Sequence, residues 1–230
     1  MDRAVILMPW RPGKHPRRRQ LWDYARFFLE DIGWPIYEGD DEGKLFSRSA
    51  SMNDAAEKAG KWDVALLGDA DTVQPADTAR EAAEIALDTG GAVIPWNFRI
   101  KLSPQGTELL VRRGVEAVTR KNSDRRDKTS PYGGGATIVV SRKAWDTVRG
   151  MDPVFRGYGN EDLAFNAALQ TLVGQVQRIP GTVYHLWHPH AANVGSLHAA
   201  VPNNRRRWTE YQQASGDPKA MLRLINQRDA

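Results

Sequence analysis

The chain contains no cysteine in 230 residues, which excludes disulfides and thiolate metal centres and suits a reducing compartment. It also lacks any apolar run near the ~18 residues that a membrane-spanning helix needs. The N-terminal apolar run, Ala4 to Met8, has no small-residue cleavage site after it. No signal peptide is therefore expected, and the expected localisation is cytoplasmic. There is no internal repeat and no low-complexity segment. Excess charge is also small: 32 basic against 28 acidic residues leave a formal +4. That excess gathers in clusters at Arg11, Lys14 and Arg17 to Arg19, at Arg120 to Lys128, and at Arg205 to Arg207. Such clusters suit nucleic acid, phosphorylated small molecules, or plain solvated faces. No recognition-helix, RNA-binding or zinc motif supports the first of these.

What is present is a core. Hydrophobic residues make up 41% of the chain, enough for one large domain, expected over residues 1–200, with residues 201–230 as a basic helical extension. Ala4 to Met8 reads as a buried strand stopped by Pro9, followed by a turn-rich, cationic loop from Trp10 to Lys14. Helical spacing of Leu21, Trp22, Ala25, Phe28, Leu29 and Ile32 predicts a helix from Pro16 to Ile32. Pro35 to Tyr37 is a short strand, and Ser51 to Ala59 a helix with Ser51 or Asn53 near its cap. Further segments follow as strand Val64 to Leu67, helix Pro75 to Leu87 and strand Ala92 to Trp96. Strands alternating with helices predict an α/β domain with a mostly parallel sheet, whose ligands gather at the carboxyl ends of strands.

In the second half, Thr119 to Pro131 is polar and unpatterned, and is expected to be a mobile loop. A strand is expected at Ala136 to Val140, a short helix at Arg142 to Val148, and a loop from Gly150 to Gly159. Asn160 is expected to cap a helix with Glu161 and Asp162 in its first turn. Strands at Gln175 to Ile179 and Thr182 to Tyr184 then lead into His185-Leu-Trp-His188-Pro-His190.

Chemistry concentrates at Asp69-Ala70-Asp71, directly after the apolar strand. Side chains at i and i+2 of an extended segment share a face, so both carboxylates can serve one divalent cation and the phosphates it neutralises. Chance alone gives roughly one such pair in a chain this rich in aspartate, so its place at a strand end carries the signal. Three of the five histidines fall between 185 and 190, as a surface cluster or as imidazole ligands completing a metal site. Glu38-Gly-Asp40-Asp41-Glu42 is either a solvated turn or a source of one acid for a ribose or base. Glu161 and Asp162 either complement a helix dipole or supply a general base. Gly133 to Gly135 either form a hinge or let a substrate approach the backbone.

The stretch from Gly133-Gly-Gly-Ala-Thr through Gly150-Met-Asp-Pro-Val-Phe-Arg-Gly-Tyr-Gly-Asn-Glu-Asp162-Leu163 resembles the C-terminal motif of galactosyltransferase-type GT-A glycosyltransferases. It is also similar to family 2-like and polypeptide GalNAc-transferase-like enzymes. Asp69-x-Asp71 resembles the metal-binding Asp-x-Asp of that fold, and the His after the last core strand its third metal ligand. The resemblance spans about residues 4 to 190. It implies a GT-A fold and a hexosyltransferase using Mn²⁺ or Mg²⁺ and a nucleotide sugar such as a UDP-sugar. The acceptor would be a carbohydrate, a protein or a small molecule. Trp10, Arg11 and Asp40 would contact the nucleoside. Asp71, with Asp69, would hold the metal, with His185 as third ligand and His188 in reserve. Gly134 and Gly135 would line the donor sugar, and Glu161 and Asp162 would face the acceptor, Asp162 as the base of an inverting transfer. A retaining, GalNAc-transferase-like mechanism is the alternative within the family, and a basic nucleic-acid-binding protein the alternative outside it. Pro9-Trp-Arg-Pro12 departs from the family's usual first-strand turn.

Overall fold

The computed structural model describes residues 3–12, 16–119, 123–128, 135–188 and 200–228. Two sheets organise the chain. The larger has six strands: β1 (Ala4–Pro9), β2 (Ile36–Gly39), β3 (Val64–Leu67), β5 (Ala92–Ile94), β8 (Ile138–Ser141) and β9 (Gln177–Arg178), in the order β2-β1-β3-β8-β5-β9. The pairs β1–β2, β1–β3 and β5–β9 are parallel, and β8 runs antiparallel between β3 and β5. β1, β3, β5 and β8 are buried along their whole length. Helices cover both faces, which is why these strands read as unbroken apolar runs rather than alternating ones.

The helices are α1 (Pro16–Glu30), α2 (Arg48–Ala59), α3 (Ala76–Thr89), α4 (Pro104–Arg113), α5 (Arg142–Thr147), α6 (Glu161–Leu172), α7 (Val201–Ala214) and α8 (Pro218–Asn226). One core layer packs α1 and α3 under Ile6, Leu66, Val93 and Val139. The other packs α2, α5, α6, α7 and α8 against Leu7, Leu67, Ile94 and Val140. The C-terminal helices belong to that second layer, with Tyr211, Met221 and Ile225 at most 1% exposed. Gly39 has a steric reason to be glycine: a Cβ there would lie 1.9 Å from the Ser51 carbonyl of α2.

The second sheet consists of β4 (Thr72–Val73), β10 (Thr182–His185), β6 (Phe98–Leu102) and β7 (Ser123–Lys128). It corrects the expectation of a loop from Thr119 to Pro131, because β7 pairs antiparallel with β6 through Arg99↔Asp127 and Lys101↔Arg125. Propensity and hydrophobic period gave no sign of this strand; a partner across the sheet forms it. The α2 cap is Ser47, whose hydroxyl accepts from the Ala50 amide, rather than Ser51 or Asn53. Asn160 precedes α6 in the left-handed region (φ 76°) and makes no side-chain cap.

Candidate active site

The carboxyl end of β3 delivers the acids. After Leu67 the chain turns through Gly68 and Asp69, and Thr72–Val73 then pairs with β10 in the register His185↔Thr72 and Tyr184↔Val73. That pairing, with the Leu186 amide donating to the Asp71 carbonyl at 2.8 Å, carries the histidine segment to Asp71 across more than a hundred residues of sequence. The His188 Nε2 lies 3.3 Å and the His185 Nε2 3.9 Å from the Asp71 carboxylate. One ligand atom from each of Asp71, His185 and His188 lies within 4.8 Å of the others, close enough for a single ion to gather them. Burial lowers the His185 pKa, keeping its imidazole neutral and fit for coordination. One carboxylate and two imidazoles are a mixed donor set that suits Mn²⁺ better than the harder Mg²⁺.

Asp69 takes a different partner. The Arg48 Nε donates to Asp69 Oδ1 at 2.6 Å, from the first turn of α2. Burial pushes the Asp69 carboxyl up and Arg48 opposes this. Burial also works against the Arg48 charge, but Asp69, then Glu161 and Asp162, more than offset it and raise its pKa. Arg48 is therefore within electrostatic reach of both acidic motifs. Glu161 and Asp162 open α6. Burial, and then the neighbouring Asp162, push the Glu161 pKa up to about 7. The Asp162 Oδ2 lies against Gly135, where a Cβ would meet it at 2.5 Å. Gly135 thus lets the acid sit on the backbone.

The residues expected at the nucleoside are placed differently from one another. Arg11 and Asp40 do meet, as Arg11 Nε donates to Asp40 Oδ1 at 2.7 Å, and the guanidinium also binds Asp41 at 2.6 Å and the Gly43 carbonyl. Trp10 is 6% exposed and packs on Trp22 (ring centroids 5.8 Å apart), which leaves little of its ring for a ligand. Gly134 lies outside the described residues, as do Lys14, Gly133 and His190.

Arg48 was missed in the sequence because one arginine after a serine has no period or pair to announce it. Its signal was positional: a cation in the first turn of a helix, where a side chain is not needed for the core and the dipole disfavours it. Asp41 was visible only as part of an acidic turn. Yet its side chain is 3% exposed and holds Arg11 on one oxygen and Arg156 on the other.

Residues 117–190 match the family model described as the N-terminal domain of galactosyltransferase. Among solved structures, the chain is similar to a Drosophila β-1,4-galactosyltransferase 7 mutant in complex with manganese, UDP-Gal and xylobiose. That likeness has a TM-score of 0.54 at 18% identity and covers 80% of this chain and 71% of the other. It is also similar to GalNAc-T7 with UDP, GalNAc and Mn²⁺, with a TM-score of 0.52 at 14% identity. That alignment covers 99% of this chain and 48% of the other, so the chain spans about half the length of that protein. No curated protein matches the chain. The fold is that of GT-A glycosyltransferases, as the resemblance at Gly133–Leu163 implied.

Proposed function

We propose that the protein is a metal-dependent glycosyltransferase that moves a hexose from a nucleoside diphosphate, UDP, to an acceptor hydroxyl with inversion. The carrying observation is the grouping of Asp71, His185 and His188, with Arg48 bonded to the neighbouring Asp69 and within electrostatic reach of Glu161 and Asp162. Both solved relatives described above hold manganese with UDP or a UDP-sugar, which supports the same cofactor here. A divalent ion held by Asp71, His185 and His188 would act as a Lewis acid for the leaving diphosphate.

The chain's own groups account for the rest. Asp40, fixed by Arg11, presents a carboxylate beside the end of β1 for the nucleoside. Arg48 neutralises Asp69 through Nε and donates from Nη1 to the Met151 sulfur, which leaves Nη2 for the donor. The exposed ring of Tyr158, 65% accessible and three residues before Glu161 in the chain, offers a flat surface for an acceptor. The Asp162 carboxylate takes the proton of the acceptor hydroxyl as that oxygen bonds to the anomeric carbon. The bond from that carbon to the diphosphate breaks on the opposite face, and its electron pair leaves with UDP. Glu161, with its raised pKa, holds the acceptor by hydrogen bonding.

The test is a thermal-shift and hydrolysis screen of nucleotide sugars with and without Mn²⁺. Stabilisation by UDP only when Mn²⁺ is present, with turnover of one UDP-hexose, is the expected outcome. No nucleotide-dependent shift with any divalent ion would refute the assignment.

A further inference from the structure

The segment just before Glu161 has the composition of a mobile loop, yet it is tied down residue by residue. Gly157 and Gly159 both sit at positive φ, as does Asn160, so the chain here has little intrinsic preference for one path. Asn204, on α7, is 2% exposed and is spent entirely on this loop. Its Nδ2 donates to the Arg156 carbonyl at 2.8 Å and the Tyr158 carbonyl at 3.1 Å, and its Oδ1 accepts from the Arg156 amide at 3.3 Å. From the opposite side, the Ser47 hydroxyl donates to the Phe155 carbonyl at 2.7 Å, and the Gly157 amide donates to the Phe46 carbonyl at 2.8 Å. Arg156 Nη1 reaches Asp41 Oδ2 at 2.8 Å and the Leu45 carbonyl at 3.3 Å.

We propose that Asn204 and Arg156 are positioning residues that hold the loop 155–158, and with it Tyr158 and the start of α6, in one conformation before any ligand binds. That the loop serves an acceptor rests on the glycosyltransferase reading. The physical argument is that a buried amide costs desolvation unless fully bonded, and an apolar residue would pack there without that cost. Here all three of its bonds go to one stretch of backbone. The C-terminal hairpin α7–α8 thereby acts on the reaction without touching it, because Asp162 is only four residues beyond Tyr158. Segment 45–48 ties the same loop to Arg48, which is bonded to Asp69.

The test compares Asn204→Leu, Arg156→Gln and Arg156→Lys with the parent, in the full chain and well below its melting temperature. Without nucleotide, the Arg156 and Gly157 amides should exchange about 10-fold faster or more in Asn204→Leu. With Mn²⁺ and the UDP-hexose identified in the screen, kcat should fall about 10- to 100-fold in Asn204→Leu and Arg156→Gln. In Asn204→Leu, which leaves the Arg11–Asp41 contact intact, the UDP dissociation constant should stay within about 2-fold. Arg156→Lys, which keeps the charge on Asp41, should recover most of the rate. In Asn204→Leu, unchanged exchange, or a loss of UDP affinity matching the loss of turnover, would overturn the proposal. A parent that binds no UDP with Mn²⁺ overturns the glycosyltransferase reading instead, and the exchange measurement still decides whether the clamp exists.

Discussion

Arg48 and Asp69 form a salt bridge of 2.6 Å, and the charges of Glu161 and Asp162 act on the same guanidinium. Their side chains are 16% and 28% exposed, so the pair is partly shielded from water. Arg48→Met leaves Asp69 without its counter-charge, and Asp69→Asn leaves Arg48 facing Glu161 and Asp162 alone. The double variant should lose less stability than the two single losses added together. A coupling of about 0.5–3 kcal/mol from urea unfolding of the four proteins is expected. Simple additivity would mean that the bridge contributes nothing.

The proposed metal ligands separate from their neighbour Asp69 by the same logic. Asp71→Ala, His185→Ala and His188→Ala should each abolish the Mn²⁺-dependent stabilisation by UDP while unfolding cooperatively in EDTA. Asp69→Asn should weaken it less, because Arg48 rather than the ion is its partner. Titration calorimetry of Mn²⁺ and UDP ranks the four. Full Mn²⁺-dependent binding by His188→Ala would remove it from the set.

Glu161 provides a pH signature with a definite sign. Its carboxyl loses a proton near 4.5 in an unfolded chain but near about 7 in the fold. The folded state therefore holds the extra proton between those values, so stability is lost as pH rises through this window and the penalty is complete above it. Glu161→Gln removes the ionisation. The variant should melt higher than the parent at pH 8 in EDTA, with the difference vanishing by pH 4. A constant difference at all pH values would mean that Glu161 titrates normally.

Gly135→Ala tests the contact beneath Asp162. The added methyl would lie 2.5 Å from Asp162 Oδ2, so the carboxylate must move. A displacement of even an ångström at a reacting group costs on the order of 10²-fold in rate. Turnover should fall by about that much, with UDP affinity unchanged.

Asp162→Asn keeps the shape of the side chain and removes its basic oxygen. The rate should fall by roughly 10²–10⁴ with donor binding intact. Glu161→Gln should instead raise the acceptor KM more than it lowers kcat. The anomeric configuration of the product, read by NMR, is expected to be inverted. Retention would reassign Asp162 to acceptor binding.

Much of this protein is determined along the chain itself. Ala4–Met8, Val64–Leu67 and Ala92–Ile94 are strands because each is a short apolar run closed by a turn former or polar residue, and burial on both faces needs nothing more. Glu161-Asp162 is legible for the same local reason, since a helix start places its side chains by geometry. Asp69 and Asp71, by contrast, follow a strand but turn at Ala70–Asp71, so Asp69 meets Arg48 and Asp71 the histidines instead of sharing one face. The strand Ser123–Lys128 was not legible, because its sequence carries no alternation and only β6 gives it a ladder. Nor was the choice of His188 beside His185, which depends on the β4–β10 register that carries both rings to Asp71. Arg48, Asp41 and Asn204 were hidden most completely. Each is a polar residue at an ordinary spacing, and its role is set by partners 21, 115 and 48 residues away in the chain. Tertiary structure alone decides such contacts, because a charge or amide shielded from water is stable only where the fold supplies its partner.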